Sequence, residues 1–340
     1  MRTAPAFWGR KPGLAADLLL PASWAWDAVG RLRRALARPD HTPVPVICVG
    51  NLTAGGAGKT PVAMALAAWL GSRGRAVHVV TRGYGGRLAG PMRVDFARHD
   101  AAAVGDEALL HAARAPCWIA RDRAAGIAAA ATAGAEAILL DDGFQNPRVA
   151  KTLALVVIDA SYGFGNGRVI PAGPLRENLR RGLARADGVM LLTAEGDPAP
   201  RLASGLAADR PTVPAVLAPI AGQRLVGQRL LAFAGIGRPE KFFATLRRLG
   251  VELVGQHQFP DHHPFAAAEI AELRRAADRQ HASLVTTAKD LMRVPVAERN
   301  GIEVLEIEIR WPDPAALAGL LSPIFARSAA DGHDPDKNRR

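Results

Sequence analysis

Gly55, Gly56, Gly58, Lys59 and Thr60 are the residues whose types and spacing most directly suggest chemistry. They lie in Gly50-Asn-Leu-Thr-Ala-Gly-Gly-Ala-Gly-Lys-Thr-Pro61, between an apolar run at 44–49 and an Ala/Leu-rich run at 62–70. Strand, glycine-rich turn, Lys-Thr and helix is the layout of a phosphate-binding loop. Glycines let backbone N–H groups converge on a phosphate, and a helix N-terminus adds unpaired donors and partial positive charge. Lys59 would then reach the β- and γ-phosphates and the Thr60 hydroxyl would contact Mg²⁺. Position 53 departs from the usual spacing, with Thr where the pattern has Gly. The competing account is a glycine-rich turn with a surface lysine. The strand-to-helix context favours the phosphate site.

A second group is acidic. Asp141 and Asp142 end the apolar run 137–140, at the strand edge where open α/β sheets bind ligands and where phosphate-loop enzymes hold Mg²⁺. An Asp-Asp-Gly turn is the plainer account. Asp106 and Glu107 begin a helix pattern, so they suit the helix dipole. They equally suit a base for an acceptor hydroxyl and a metal contact. Arg82 and Tyr84 lie in Thr81-Arg-Gly-Tyr-Gly-Gly86 after the second strand run, and Gly163 to Glu177 is a long Gly/Pro connection containing Arg168 and Arg176. Long connections in compact domains are functional or disordered, and the ordered prolines favour function. His257 and Asp261-His262-His263 follow in the second half. Adjacent residues seldom chelate one ion, so a histidine assisting a carboxylate is the better account.

The elements that must position these residues read as α/β. Strand runs fall at 44–49, 76–81, 116–120, 136–141, 153–159 and 188–193, with helices at 60–73, 105–114, 121–133 and 176–186. Continuous apolar strands are those of a parallel sheet covered on both faces. Asp197 to Gln223, rich in Pro and Ala, reads as a seam between lobes. Beyond it come strands at 229–234, 251–257, 283–287 and 302–309 and helices to about 248 and over 265–279. The expected organisation is an N-terminal segment 1–38, a phosphate-loop lobe 39–215, a smaller α/β lobe 216–328 and a disordered tail 329–340. Residues 1–38 hold Trp8, Trp24, Trp26, Leu18 to Leu20 and four arginines from Arg31 to Arg38. The apolar stretch is too broken to span a bilayer. Two accounts fit: an amphipathic segment at a membrane surface, or a helix packed on the domain.

The net charge of +11 in 340 residues favours anionic partners. Arginine spread along the chain and few aromatics argue against nucleic acid. Cys48 and Cys117 have no metal spacing and read as reduced core residues. No typical signal peptide is visible.

The motifs occur together in one order: Gly50 to Pro61, Thr81-Arg-Gly-Tyr-Gly85, Gly105-Asp-Glu107, Asp141-Asp-Gly-Phe-Gln145, Ile170-Pro-Ala-Gly-Pro-Leu-Arg-Glu177, Phe233-Ala-Gly-Ile236 and Phe259-Pro-Asp-His-His263. The set resembles the tetraacyldisaccharide 4′-kinase family, the lipid A 4′-kinases of Gram-negative bacteria, over residues 5–310. The resemblance implies a P-loop NTPase-like parallel sheet with helices on both faces and a second, smaller α/β lobe. It implies ATP-dependent phosphorylation of the 4′-hydroxyl of a tetraacyl glucosamine disaccharide 1-phosphate to lipid IVA, with Mg²⁺, at the cytoplasmic face of the inner membrane. No obligatory protein partner is implied. Carried over by motif, Lys59 and Thr60 hold phosphates and metal. Asp106 is the base, paired with His262. Glu107, Asp141 and Asp142 are metal or metal-shell groups. Arg82, Tyr84, Arg123, Gln145, Arg176 and Glu177 contact substrate or nucleotide. The resemblance also selects the membrane-surface account of residues 1–38.

This chain departs from the family at Ala108, Asn146, Asn178 and Ala288, where Pro, His, Pro and Glu are usual. The runner-up is a nucleotide-switch ATPase or GTPase, for which residues 1–38 and the Ile170–Glu177 loop have no evident use. A non-catalytic lipid-binding protein is the third reading, opposed by Lys59, Asp106 and Asp141.

Overall fold

A computed structural model describes residues 5–197 and 210–330. In chain order the strands are β1 Val46–Gly50, β2 Val77–Thr81, β3 Met92–Arg93, β4 Cys117–Ile119, β5 Ala137–Asp141, β6 Leu153–Asp159, β7 Gly188–Ala194, β8 Thr212–Pro219, β9 Arg229–Ala234, β10 Glu252–Gln258, β11 Ser283–Thr287, β12 Ile302–Leu305 and β13 Ile307–Arg310. The α-helices are α1 Leu14–Leu18, α2 Leu20–Leu36, α3 Lys59–Gly71, α4 Ala101–Val104, α5 Asp106–Ala112, α6 Arg123–Thr132, α7 Leu179–Ala184, α8 Pro239–Arg248, α9 Ala267–Asp278, α10 Ala288–Leu291 and α11 Pro314–Ala330.

The first sheet runs β13-β8-β7-β6-β1-β5-β2-β4-β3. Its strands pair in parallel from β8 to β4, and the antiparallel β13 and β3 lie at the two edges. The alternation of side chains along a strand decides the layers. Ile47 and Val49 of β1 face Val62, Leu66 and Leu70 of α3 and Leu317 and Leu321 of α11. Val46 and Cys48 face Ile127 and Ala130 of α6 and Leu183 of α7. The smaller sheet runs β10-β9-β11-β12, all parallel. Leu230, Ala232 and Ala234 of β9 pack with Phe242, Phe243 and Leu246 of α8. Leu231 and Phe233 pack with Ile270 and Leu273 of α9. Both sheets are covered on both faces, as their continuous apolar strands require.

Three expectations about organisation change. The 197–223 seam contains β8, so a boundary at 215/216 cuts a strand of the first sheet. The single strand expected at 302–309 is two, with β12 in the small sheet and β13 in the large one. After β13, α11 packs on the first lobe rather than the second. The chain thus leaves the first lobe after β8 and returns to it. The tail beyond Ala330 lies outside the described residues.

The N-terminal segment is helical, in α1 and α2. Trp8 Nε1 donates to Pro171 O (3.0 Å), Trp26 Nε1 to Arg176 O (3.1 Å) and Ser23 Oγ to Val169 O (2.7 Å), all on the 168–178 loop. Asp27 accepts from Asn178 N–H and pairs with Arg181. Polar anchoring leaves Leu14, Leu18, Trp24, Val29, Leu32 and Leu36 exposed, Leu14 by 84%. Among the described residues no helix is long and apolar enough to cross a membrane.

Candidate active site

The loop after β1 delivers Lys59 and Thr60 into the first turn of α3. Gly58 has φ +78°, and a Cβ there would lie 2.2 Å from Leu192 Cδ2. A left-handed backbone without room for a side chain demands glycine. Thr53 is tolerated because it is buried in an isolated bridge to Leu175. The next residue is held too: Ala54 N–H donates to Pro174 O at 2.7 Å. The Ile170–Glu177 loop therefore braces the phosphate loop. Lys59 Nζ donates to Asn51 Oδ1 (3.2 Å) and lies 3.8 Å from Asp142 Oδ1.

Thr60 Oγ1 donates to Asp141 Oδ2 at 3.2 Å, and His111 Nε2 lies 2.9 Å from that oxygen. The other oxygen, Oδ1, is buried with no hydrogen-bond partner. An open buried carboxylate oxygen beside a threonine hydroxyl suits Mg²⁺, a hard cation that completes its shell with water and nucleotide oxygens. Among the described residues no group of three or more His, Cys, Asp and Glu could hold a metal. An ion here would depend on the nucleotide for the rest of its shell.

Asp142 takes a left-handed backbone, φ +55°, strained for a non-glycine residue. Arg176 grips it with two N–H groups at 2.9 and 3.4 Å. Burial pushes the Asp142 carboxyl up, but Lys59 and Arg176 outweigh it and hold the group below the usual carboxylate range. Gln145 links the same patch, donating to Asn51 O (2.9 Å) and Glu177 Oε1 (3.2 Å) and accepting from Arg176 (3.3 Å). Glu177 is buried and held by Arg185 at 2.8 Å and Arg34 at 3.4 Å. It ties α2 and α7 to the loop. Asn178, where the family has Pro, caps α7 by accepting from Arg181 N–H at 3.2 Å. Arg123 opens α6 and is buried with Nε unpartnered. Burial and then the nearby Arg82 push its pKa down, while Arg82 itself is exposed.

Asp106 stands at the head of α5, after Gly105. Gly105 has φ +88°, and a Cβ would sit 2.3 Å from Tyr84 O. That close approach seats the Thr81–Gly86 loop against the acid. Asp106 Oδ1 accepts Glu107 N–H at 2.8 Å. Its Oδ2 lies 3.0 Å from His262 Nδ1 and 3.1 Å from Arg293 Nε, both from the second lobe. Burial pushes the Asp106 carboxyl up, but His262, Lys289 and Arg293 together hold it below the usual range. The Tyr84 ring meets the His262 ring edge-on at 5.2 Å.

Sequence reading missed several groups here. Lys289 Nζ lies 2.9 Å from Glu107 Oε1 and 3.4 Å from His262 Nε2. Asp290 accepts Gly235 N–H at 2.9 Å and pairs with Arg293. Arg238 donates to Gly56 O at 2.6 Å and lies 2.9 Å from Asp159 at the end of β6, which also pairs with Lys241. Lys289 and Asp290 follow Ala288, one of the positions that depart from the family, but no spacing signals their partners. His257 is exposed on β10. His263 lies 3.0 Å from Glu269 and stacks on Phe259, a structural arrangement.

A family model described as "LpxK: Tetraacyldisaccharide-1-P 4'-kinase" matches residues 15–325. A tetraacyldisaccharide 4′-kinase of Rhodospirillum centenum is 54% identical over 336 residues, covering 97% of this chain and 98% of its own. That of Rhodospirillum rubrum is 48% identical over 324 residues, covering 95% and 98%. The crystal structure of LpxK from Aquifex aeolicus in complex with ATP superposes with a TM-score of 0.74 at 26% identity, covering 92% of this chain and 100% of that one. With a family match over nearly its whole length and near-full-length relatives at about half identity, the chain belongs to the tetraacyldisaccharide-1-P 4′-kinase family.

Proposed function

We propose that the chain transfers the γ-phosphoryl group of ATP to the 4′-hydroxyl of a tetraacyl glucosamine disaccharide 1-phosphate, yielding lipid IVA. The observation that carries this is that the second lobe meets the phosphate loop, through Arg238 on Gly56 O, and completes a carboxylate–histidine pair with Asp106 through His262. Lys59 and the loop N–H groups hold the β- and γ-phosphates. Thr60 and Asp141 would hold Mg²⁺, with Glu107 and Asp142 near its shell, and the ion would neutralise charge on the phosphates. Asp106 and His262 act together as the base. Asp106 fixes His262 through Nδ1, and the pair takes the hydroxyl proton as the oxygen attacks the γ-phosphorus and ADP leaves. Because His262 comes from the second lobe, closure completes the base, which limits transfer of phosphate to water. Arg82, Tyr84, Arg123, Gln145 and Arg176 line the acceptor side, and Glu177 supports them from within.

The acceptor is a lipid, and the exposed apolar side of α1 and α2 suits a membrane surface. Leu, Val and Trp side chains there would enter the headgroup region, with the neighbouring arginines meeting anionic lipid. A cavity of about 410 Å³ between α2 and the 168–181 segment is lined by Leu20, Trp24, Asp27, Arg31, Arg168 and Arg181 among others, with Arg31 and Arg181 paired to Asp27 and Arg168 to Asp17. Its apolar groups and its excess of arginine over acid suit an acylated phosphosugar. We place the protein at the cytoplasmic face of the inner membrane, peripherally bound. The nucleotide-switch alternative is not favoured by the family match.

The test is transfer of labelled γ-phosphate from ATP to the tetraacyl disaccharide 1-phosphate in detergent micelles, with and without Mg²⁺. Label in the lipid that requires Mg²⁺ is the expected result. Label released only as free phosphate, indifferent to lipid, would refute the proposal.

A further inference from the structure

His111 is a buried polar side chain that the transfer chemistry leaves without a role. It lies in the last turn of α5, 1% exposed, next to the buried Leu109 and Leu110. Burying an imidazole costs free energy unless its polar atoms find partners. Among the described residues its Nδ1 has no hydrogen-bond partner, and Nε2 lies 2.9 Å from Asp141 Oδ2. With an acceptor at Nε2 and none at Nδ1, the neutral ring carries its proton on Nε2 and donates to the carboxylate. A leucine here would fill the same core without that cost, so the contact with Asp141 is what the histidine adds.

The two oxygens of Asp141 are unequally served. Oδ2 accepts both His111 Nε2–H and Thr60 Oγ1–H, the latter at 3.2 Å, whereas Oδ1 is buried with no partner. A carboxylate turns about a broad, two-fold torsion, and a threonine hydroxyl alone can follow either oxygen. The imidazole comes from a different element, held by the packing of Ala108 and Leu109 in the core, and fixes which oxygen stays with the two donors. We propose that His111 is a positioning residue for the metal site: by holding Oδ2 of Asp141 it leaves Oδ1 as the oxygen offered to Mg²⁺, directly or through water. This rests on the reading of Asp141 as a metal-holding group. Hydrogen bonds behind a ligating group orient it and tune its affinity for the ion. The same helix carries Asp106 at its head, so the contact also sets the base and the metal carboxylate in one frame.

Calorimetric titration of the full-length protein with ATP, in Mg²⁺ and in EDTA, tests this. His111→Leu keeps a buried side chain of similar size and removes the donor. It should weaken ATP binding in Mg²⁺ about ten- to a hundredfold, the usual cost of losing a hydrogen bond behind a metal ligand, and leave the Kd in EDTA within about twofold. By linkage, the factor lost only in Mg²⁺ equals the loss of metal affinity in the nucleotide complex. His111→Gln, whose amide reaches about as far as Nε2, should restore binding in Mg²⁺ to within about threefold of wild type. If His111→Leu fails to fold, His111→Asn, whose amide ends short of the Nε2 position, gives the same readout. Wild-type affinity in Mg²⁺ for these donor-free or shortened variants would overturn the proposal. An equal loss in Mg²⁺ and in EDTA would also overturn it, since a merely structural histidine predicts that. Asp141→Asn separates the two levels. If it binds ATP in Mg²⁺ as wild type does, the metal reading of Asp141 fails. If it loses the Mg²⁺-dependent affinity while His111→Leu does not, only the present inference fails.

Discussion

Replacing Asp106 by Asn preserves the shape of the side chain and removes its charge. The carboxylate accepts Glu107 N–H at 2.8 Å, lies 3.0 Å from His262 Nδ1 and pairs by charge with Arg293, whose Nε is 3.1 Å away outside hydrogen-bond geometry. An amide has one acceptor oxygen. Whichever way it turns, its NH₂ faces either the Glu107 N–H or the His262 and Arg293 side chains. Hydrogen bonds to charged groups are worth about 1.5–3 kcal/mol each, and breaking a buried ion pair costs about 3–5 kcal/mol. Arg293 keeps Asp290 as a partner, which places the expected loss of stability near the lower end, about 3 kcal/mol. The loss of turnover should be larger in effect, about 10²- to 10⁴-fold, the usual worth of a positioned base. Asp106 has no contact with the phosphate loop, so ATP affinity should change by less than about threefold. Steady-state transfer of labelled phosphate to the lipid gives kcat, calorimetry gives the ATP Kd, and thermal unfolding gives the stability change. An Asp106→Asn enzyme with kcat within about threefold of wild type would refute the base assignment. Parallel loss of kcat and ATP binding would refute the separation of base from phosphate site.

Three further outcomes are expected. Gly105→Ala forces a side chain against Tyr84 O at a positive φ; strain of about 1–3 kcal/mol should lower Tm and displace Asp106, reducing kcat more than ATP affinity. Burial pushes the Asp159 carboxyl up, but Arg238 and Lys241 hold it below the usual range. Its stabilising contribution is therefore full above the unfolded value of about 3.9 and lost as pH falls through the folded value. The Tm gap between wild type and Asp159→Asn should accordingly be widest near neutral pH and close in acid; a gap independent of pH would contradict this. Burial pushes the Cys48 thiol up to about 12 and raises Cys117 as well. Since the thiolate is the reactive form, the folded protein should resist thiol–disulfide exchange reagents at neutral pH and react at both cysteines once unfolded, and alanine at either position should leave kcat intact.

Local geometry made the first half of the site legible. A phosphate loop is written within a dozen residues because one strand, one turn and one helix start build it, and Gly58, Lys59 and Thr60 keep their spacing whatever surrounds them. Asp141 was legible for the same reason, as the carboxylate ending a run buried on both faces. The alternation of apolar runs gave two α/β lobes, but periodicity carries no information about which sheet a strand joins. Hence the apolar pattern places 307–310 and 314–328 in the second lobe, whereas β13 and α11 belong to the first. The strand β8 was hidden by Pro214 and Pro219. Its neighbour β13 pairs only with residues 216–219, so Pro214 lies at an edge where a missing N–H is tolerated. The family resemblance paired Asp106 with His262, but their contact, across 156 residues, exists only because the second lobe folds over the first. Lys289 on Glu107 and Arg238 on Gly56 each bridge 182 residues. Chain contacts at such separations depend on how two independently packed sheets dock. Composition and motif spacing do not encode that docking, and it decides which charges meet at the phosphates.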